Sequence, residues 1–159
     1  MNFKLRCTQV STAIGLSLLM SLPVDAKTGS QEAANTAVIE RAFDNWKQGK
    51  GNFFDLLAED AEWTVAGGSP VSGTYRNRDT FMKEAVLPIN ARFKGPLDPD
   101  VKSIVAQGDN VVVLWDGVTD GIDGQRYENS YAWHMQMKDG QITQVIAFLD
   151  TWRLVELMK

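Results

Sequence analysis

The run Tyr127-Glu-Asn-Ser-Tyr-Ala-Trp-His-Met-Gln-Met-Lys-Asp-Gly-Gln-Ile-Thr-Gln-Val-Ile-Ala-Phe-Leu-Asp-Thr-Trp152 decides how this chain folds. Asp139-Gly140 separates two stretches rich in aromatic and β-branched residues, the pattern of a β-hairpin closed by a two-residue turn whose central positions need positive φ. Pairing Lys138 with Gln141 sets the register: Met137 faces Ile142, Trp133 faces Ile146, Tyr131 faces Phe148 and Asn129 faces Asp150. One face of the hairpin is then apolar near the turn and polar at its far end, where Tyr127, Asn129, Tyr131 and Asp150 gather. Directly opposed side chains have Cβ atoms about 4.5 to 5.5 Å apart, so Asn129 and Asp150 can share a hydrogen bond or a ligand. A carboxylate emerging from an apolar strand face is costly unless paired or solvated. Asp150 therefore either ends its strand in water or serves a pocket as its acid or base.

Working outward, residues 101–107, 110–118, 125–137 and 141–151 read as four strands. They are joined by Gly108-Asp109, the Asp120 to Gly124 run and Asp139-Gly140, all turn-forming by residue type. The middle turn puts Val111, Val113 and Trp115 on the face of Asn129, Tyr131 and Trp133, and leaves Val112, Leu114, Ala132 and Val145 on the other. Both faces are apolar, which calls for helices on one side and a second subunit on the other.

Residues 31–48 read as a helix with Ser30 as N-cap and Gly49 at its end, burying Ile39, Ala42, Phe43 and Trp46 as a core stripe. Asn52 caps a short helix over 53–57. Residues 61–66 form a strand in which Trp63 and Val65 alternate with polar neighbours. A third helix starts at Asn77, buries Phe81, Met82, Ala85 and Val86, and stops at Pro88. Helices first and an antiparallel meander afterwards define an α+β domain.

The chain has 159 residues, enough for one domain with a real core. Lys4 and Arg6 precede an apolar run that ends in Val24-Asp25-Ala26, so residues 1–26 read as a signal peptide cleaved after Ala26, and residues 27–159 as the single mature domain. The apolar run is too short to span a membrane, and Cys7 precedes it, so no membrane anchor is expected. Cleavage removes two of the 16 basic and one of the 20 acidic residues and leaves a formal charge of −5 with no cysteine. A secreted or periplasmic protein without disulfides is expected to rest on its core and a partner subunit. Its acidic balance without a basic cluster argues against nucleic acid as a partner.

Three motifs across residues 31–155 resemble the nuclear transport factor two-like superfamily, within it the SnoaL-like and ketosteroid-isomerase-like proteins. They are Leu57-Ala-Glu-Asp-Ala-Glu-Trp63, Gly68-Ser-Pro-Val-Ser-Gly-Thr-Tyr-Arg-Asn-Arg-Asp79, and Tyr127-x-Asn-x-Tyr131 followed by Asp139-Gly-Gln-Ile142 and Phe148-x-Asp150. The resemblance implies a cone-shaped fold: a curved antiparallel sheet wrapped around N-terminal helices, enclosing an apolar cavity, with homodimerisation through the sheet's outer surface. SnoaL-like cyclases carry their acid/base as an Asp on the last strand, where Asp150 stands. Ketosteroid isomerases place theirs on the strand after the second helix, here Thr64-Val65-Ala66, which holds no carboxylate.

On this reading Asp150 takes a proton from carbon beside a carbonyl, with its pKa raised by burial, and Tyr131 or Tyr127 donates to the developing oxyanion. Asn129, Trp63, Trp133, Phe148 and Trp115 complete a site for a small hydrophobic ligand. The reaction would be isomerisation, cyclisation or lysis without a cofactor. The alternative is a ligand-binding or dimeric scaffold domain without catalysis. His134 is the only histidine and falls on the face opposite Asn129, so no catalytic triad and no metal site are expected, nor is there a glycine-rich phosphate loop.

Overall fold

In the computed structural model, which describes residues 26–159, Asp139 and Gly140 both have positive φ, at 52° and 79°, and close the hairpin as the sequence requires. The expected signal peptide lies outside the described residues except for Ala26. The elements are helix α1 (Ala26–Lys47), a 3₁₀ turn (Phe53–Leu56), strands β1 (Leu57–Val65) and β2 (Gly73–Tyr75), helix α2 (Arg78–Phe81), a π turn (Met82–Val86), helix α3 (Leu87–Asn90), strands β3 (Asp98–Gln107), β4 (Asn110–Asp120), β5 (Arg126–Lys138) and β6 (Gln141–Leu149), and helix α4 (Thr151–Leu157). No described helix is long and apolar enough to cross a membrane.

One six-stranded sheet, ordered β2-β1-β6-β5-β4-β3, carries the domain. The last four strands are the expected meander. Strand β1 joins it by pairing parallel with β6, so the sheet is mixed, not wholly antiparallel. The β4–β5 register sets Trp115 against Tyr131 and Val113 against Trp133, as expected for one shared face.

The β5–β6 register departs from expectation. Lys138 pairs with Gln141 and Met137 with Ile142, but Gln136 then pairs with Gln144 across a bulge. The Met137 N–H bonds to the Asp109 carbonyl at the neighbouring turn, and the Thr143 hydroxyl donates to the Gln136 carbonyl, so the extra residue is accommodated by partners outside the ladder. One inserted residue turns every later side chain of β6 to the opposite face. Val145, expected outside, is fully buried, while Phe148, expected in the ligand site, is 53% exposed on the outer face.

Asn52 caps the 3₁₀ turn through a capping box with Asp55, and Asn77 caps α2, both as the sequence predicts. Pro88 does not stop the third helix. The π turn directly before α3 widens the backbone where the proline ring would meet the preceding turn, and the helical path continues to Asn90. Helix α1 begins earlier than Ser30, at Ala26, with Gly49 at φ 66° just past its end.

The core lies between the helices and the concave face of the sheet and is dominated by aromatic rings. Trp63 stacks on Phe81 at 4.3 Å between ring centroids, Trp115 on Tyr131 at 4.0 Å, and Trp133 meets Trp115 edge-on at 4.7 Å. Each such pair adds about 0.5 to 1.5 kcal/mol beyond its burial. Gly117 makes the stack possible. A Cβ there would stand 2.9 Å from the Trp115 ring and 3.1 Å from both Tyr131 and Leu97.

Candidate functional site

A cavity of about 100 Å³ opens within this aromatic core. The sheet contributes Trp63 from β1, Trp115 from β4, Tyr127, Tyr131 and Trp133 from β5, and Ala147 and Leu149 from β6. The helical side contributes Trp46 from α1, Phe54 from the 3₁₀ turn, and Phe81, Ala85 and Val86 from the segment after Asn77. Phe93 and Leu97 close it from the loop before β3, and Leu154 of α4 from the C-terminal end. Five of the eight expected site residues, Trp63, Trp115, Tyr127, Tyr131 and Trp133, therefore line one space.

Asn129 stands behind that wall, 4% exposed. Its amide donates to the Tyr127 hydroxyl at 3.0 Å and to the Asp150 carbonyl at 2.9 Å, while its oxygen accepts from the Asp150 N–H at 3.0 Å. The expected meeting of Asn129 and Asp150 does occur, but through the Asp150 backbone. The Asp150 side chain points elsewhere: it is the N-cap of α4, accepting from the N–H groups of Trp152 at 3.0 Å and Arg153 at 3.3 Å. It is exposed and is not among the lining residues. The cause is the end of β6 at Leu149, two residues earlier than expected, where Asp150 satisfies the helix N-terminal donors. Phe148 is excluded by the bulge described above.

Apart from the Asn90 amide, which borders the cavity, its polar chemistry comes from two phenols. Tyr127 and Tyr131 are bonded hydroxyl to hydroxyl at 3.0 Å. That contact uses one of the two phenolic protons, and the Asn129 amide already occupies an acceptor site on Tyr127. The second phenolic proton has no acceptor among the described residues. The Trp115 indole N–H, by contrast, is packed inside the core with no hydrogen-bond partner among the described residues. Such a stranded donor costs about 1 to 3 kcal/mol.

Burial pushes both phenols above the ordinary tyrosine range, Tyr131 well above it with the neighbouring Tyr127 adding to the effect. Both therefore stay protonated donors at neutral pH. No carboxylate or imidazole is among the described residues that line the cavity. Among the described residues no three His, Cys, Asp or Glu side chains cluster as metal ligands.

Sequence reasoning missed Trp46, Phe54, Phe81, Phe93, Leu97 and Leu154 as wall residues. Trp46 and Phe81 were legible only as core stripes, since helical periodicity cannot tell a core from a cavity wall. The one local signal was Gly117 inside a strand, which marks a close approach by neighbouring groups.

Residues 39–145, more than half of the chain, match the SnoaL-like domain family, and the protein belongs to it. No curated protein matches the sequence. Solved structures similar to it include Bal32a from a soil-derived mobile gene cassette, with TM-score 0.68 and 15% identity over 81% of this chain and 99% of that one. An NTF2-like protein from Burkholderia thailandensis aligns with TM-score 0.64 and 19% identity over 79% and 97% of the two chains. TerC, co-crystallised with polyporic acid, aligns with TM-score 0.60 and 20% identity over 79% and 98%. At these identities the likeness is one of fold.

Proposed function

We propose that the domain binds a small, mostly apolar molecule carrying a hydrogen-bond-accepting oxygen, a ketone or related carbonyl, in the aromatic cavity. The observation that carries this reading is the unspent phenolic proton of the Tyr127–Tyr131 pair on the wall of a mostly apolar cavity. Apolar walls supply affinity and a few convergent donors supply orientation. Binding without acid/base turnover is favoured over the cyclase or isomerase alternative because the lining holds no proton acceptor and Asp150 is engaged in capping α4. Donors alone can polarise a carbonyl, but proton abstraction needs a base within reach.

The test compares 2-butanone with 2-methyl-1-butene, in which a CH₂ group replaces the carbonyl oxygen, by NMR titration. The ketone is expected to bind about threefold to tenfold more tightly, the scale of one hydrogen bond. That preference should fall in the Tyr127→Phe/Tyr131→Phe double variant. Equal affinity for the two molecules would remove the reading.

Two further parts of the proposal concern setting. The outer sheet face is taken as the surface for a second copy of the chain. Supporting this, Val105, Leu114 and Phe148 are 61%, 44% and 53% exposed there, and strand pairing brings Val112 beside Val105 and Ala132 between Leu114 and Phe148. Export is taken from residues 1–26, and N-terminal sequencing of the protein from the host's extracytoplasmic fraction checks it.

A further inference from the structure

The interior cavity is smaller than the cavities of about 150 Å³ that admit benzene in other proteins, and well below the roughly 300 to 1,000 Å³ of ordinary ligand sites. A second concavity of about 290 Å³ lies directly outside it, bordered by Gly51 and Asn52 after α1 and by Gly95 and Pro96 before β3. The two spaces share Trp46, Phe54, Asn90, Phe93 and Leu97 as walls. Most of what divides them is side chain: three aromatic rings and a leucine. The interior is bounded mostly by apolar groups, and the outer space adds Asn52 to the shared Asn90.

We propose that this vestibule is the outer half of one elongated binding site, so that the ligand is a carbonyl compound too long for the interior alone. Its carbonyl sits against Tyr131 and Tyr127, and its apolar chain passes Trp46, Phe54, Phe93 and Leu97 into the vestibule. There Asn52 and Asn90 can meet a polar outer end. The inference rests on the binding function proposed above and adds the length of the ligand and the path it follows.

Two glycines give a clean test. A Cβ on Gly95 would meet nothing within 4 Å, and one on Gly51 would make only an ordinary 3.7 Å contact with Asn45. Neither glycine has positive φ and neither lines the interior, so Gly51→Phe and Gly95→Phe add a side chain at the vestibule wall without backbone strain. Affinities for 2-butanone and 2-nonanone are measured by NMR titration on the unaltered protein and both variants.

The unaltered protein should bind 2-nonanone at least about tenfold more tightly, because added methylenes leave water. Each variant should lose most of that advantage and keep its 2-butanone affinity within about twofold. Variants that bind 2-nonanone as the unaltered protein does would overturn the proposal, as would a parallel loss for both ketones. If 2-butanone binds and 2-nonanone gains nothing, the vestibule assignment fails while the interior site stands. Failure of both ketones to bind the unaltered protein defeats the underlying function and this inference with it.

Discussion

Replacing Asn129 by alanine should unlatch α4 from the sheet. The side chain is almost fully buried and makes three hydrogen bonds of 2.9 to 3.0 Å, two of them to the backbone of Asp150 immediately before the helix. Truncation strands the Asp150 N–H, takes one donor from the Asp150 carbonyl, which as N-cap also accepts the first bond of α4, and removes the donor that fixes Tyr127. At about 1 to 3 kcal/mol for the stranded N–H and about 0.5 to 1.5 kcal/mol for each of the other two lost bonds, the loss should be about 3 kcal/mol. For a domain of this size that is a fall in Tm of roughly 10 °C. Urea unfolding measures the total, and hydrogen exchange at Trp152 and Leu154 locates it. Leu154 closes one end of the cavity, so the same variant should also loosen ketone binding. Ser130→Ala, which loses only an exposed bond to Asp116, serves as control and should cost less than about 0.5 kcal/mol. A loss below about 1 kcal/mol for Asn129→Ala, or unchanged exchange in α4, would refute the latch.

Asp150→Asn should preserve both stability and ligand affinity, because asparagine caps a helix as well as aspartate, whereas Asp150→Ala should cost about 0.5 to 2 kcal/mol in thermal unfolding. If Asp150→Asn instead abolishes turnover of an enolisable ketone, Asp150 is a base after all. Ketone affinity should stay flat from about pH 5 to 9, since both phenols have raised pKa values and remain protonated donors. The sign follows from the proton: each phenol holds it more tightly when folded, so its contribution is present below the ordinary tyrosine pKa near 10 and is lost as pH rises through the folded value. A loss of affinity below pH 6 would point to a carboxylate. Leu114→Lys, in the middle of the exposed outer face, should give a monomer by light scattering if that face holds a second copy; a monomeric unaltered protein at micromolar concentration would remove the dimer.

The turn at Asp139-Gly140, the face shared by the two middle strands of the meander and the caps at Asn52 and Asn77 could all be read from residue type, because local backbone chemistry dictates them. The bulge at Thr143 could not. It depends on Met137 donating to Asp109, a residue 28 positions earlier and on another turn, and nothing in the hairpin's own sequence announces it. That single residue moved Phe148 out of the site and Val145 into the core. Helix α4 was hidden for a related reason: Thr151 and Trp152 continue a strand-like pattern, and Asp150 reads equally as a strand-end carboxylate or an N-cap. The polar cluster at the far end of the hairpin was legible, but its roles were not. Asn129 was expected to meet a carboxylate and instead holds a backbone.

The infrared carbonyl stretch of ¹³C-labelled 2-butanone bound to the protein tests the donor site most directly. A hydrogen bond from the Tyr127–Tyr131 pair should move the band below its position in hexane, and the Tyr127→Phe/Tyr131→Phe variant should move it back. A bound carbonyl absorbing where it does in hexane, with no change in the double variant, would contradict the assignment of these residues as the ligand's anchors.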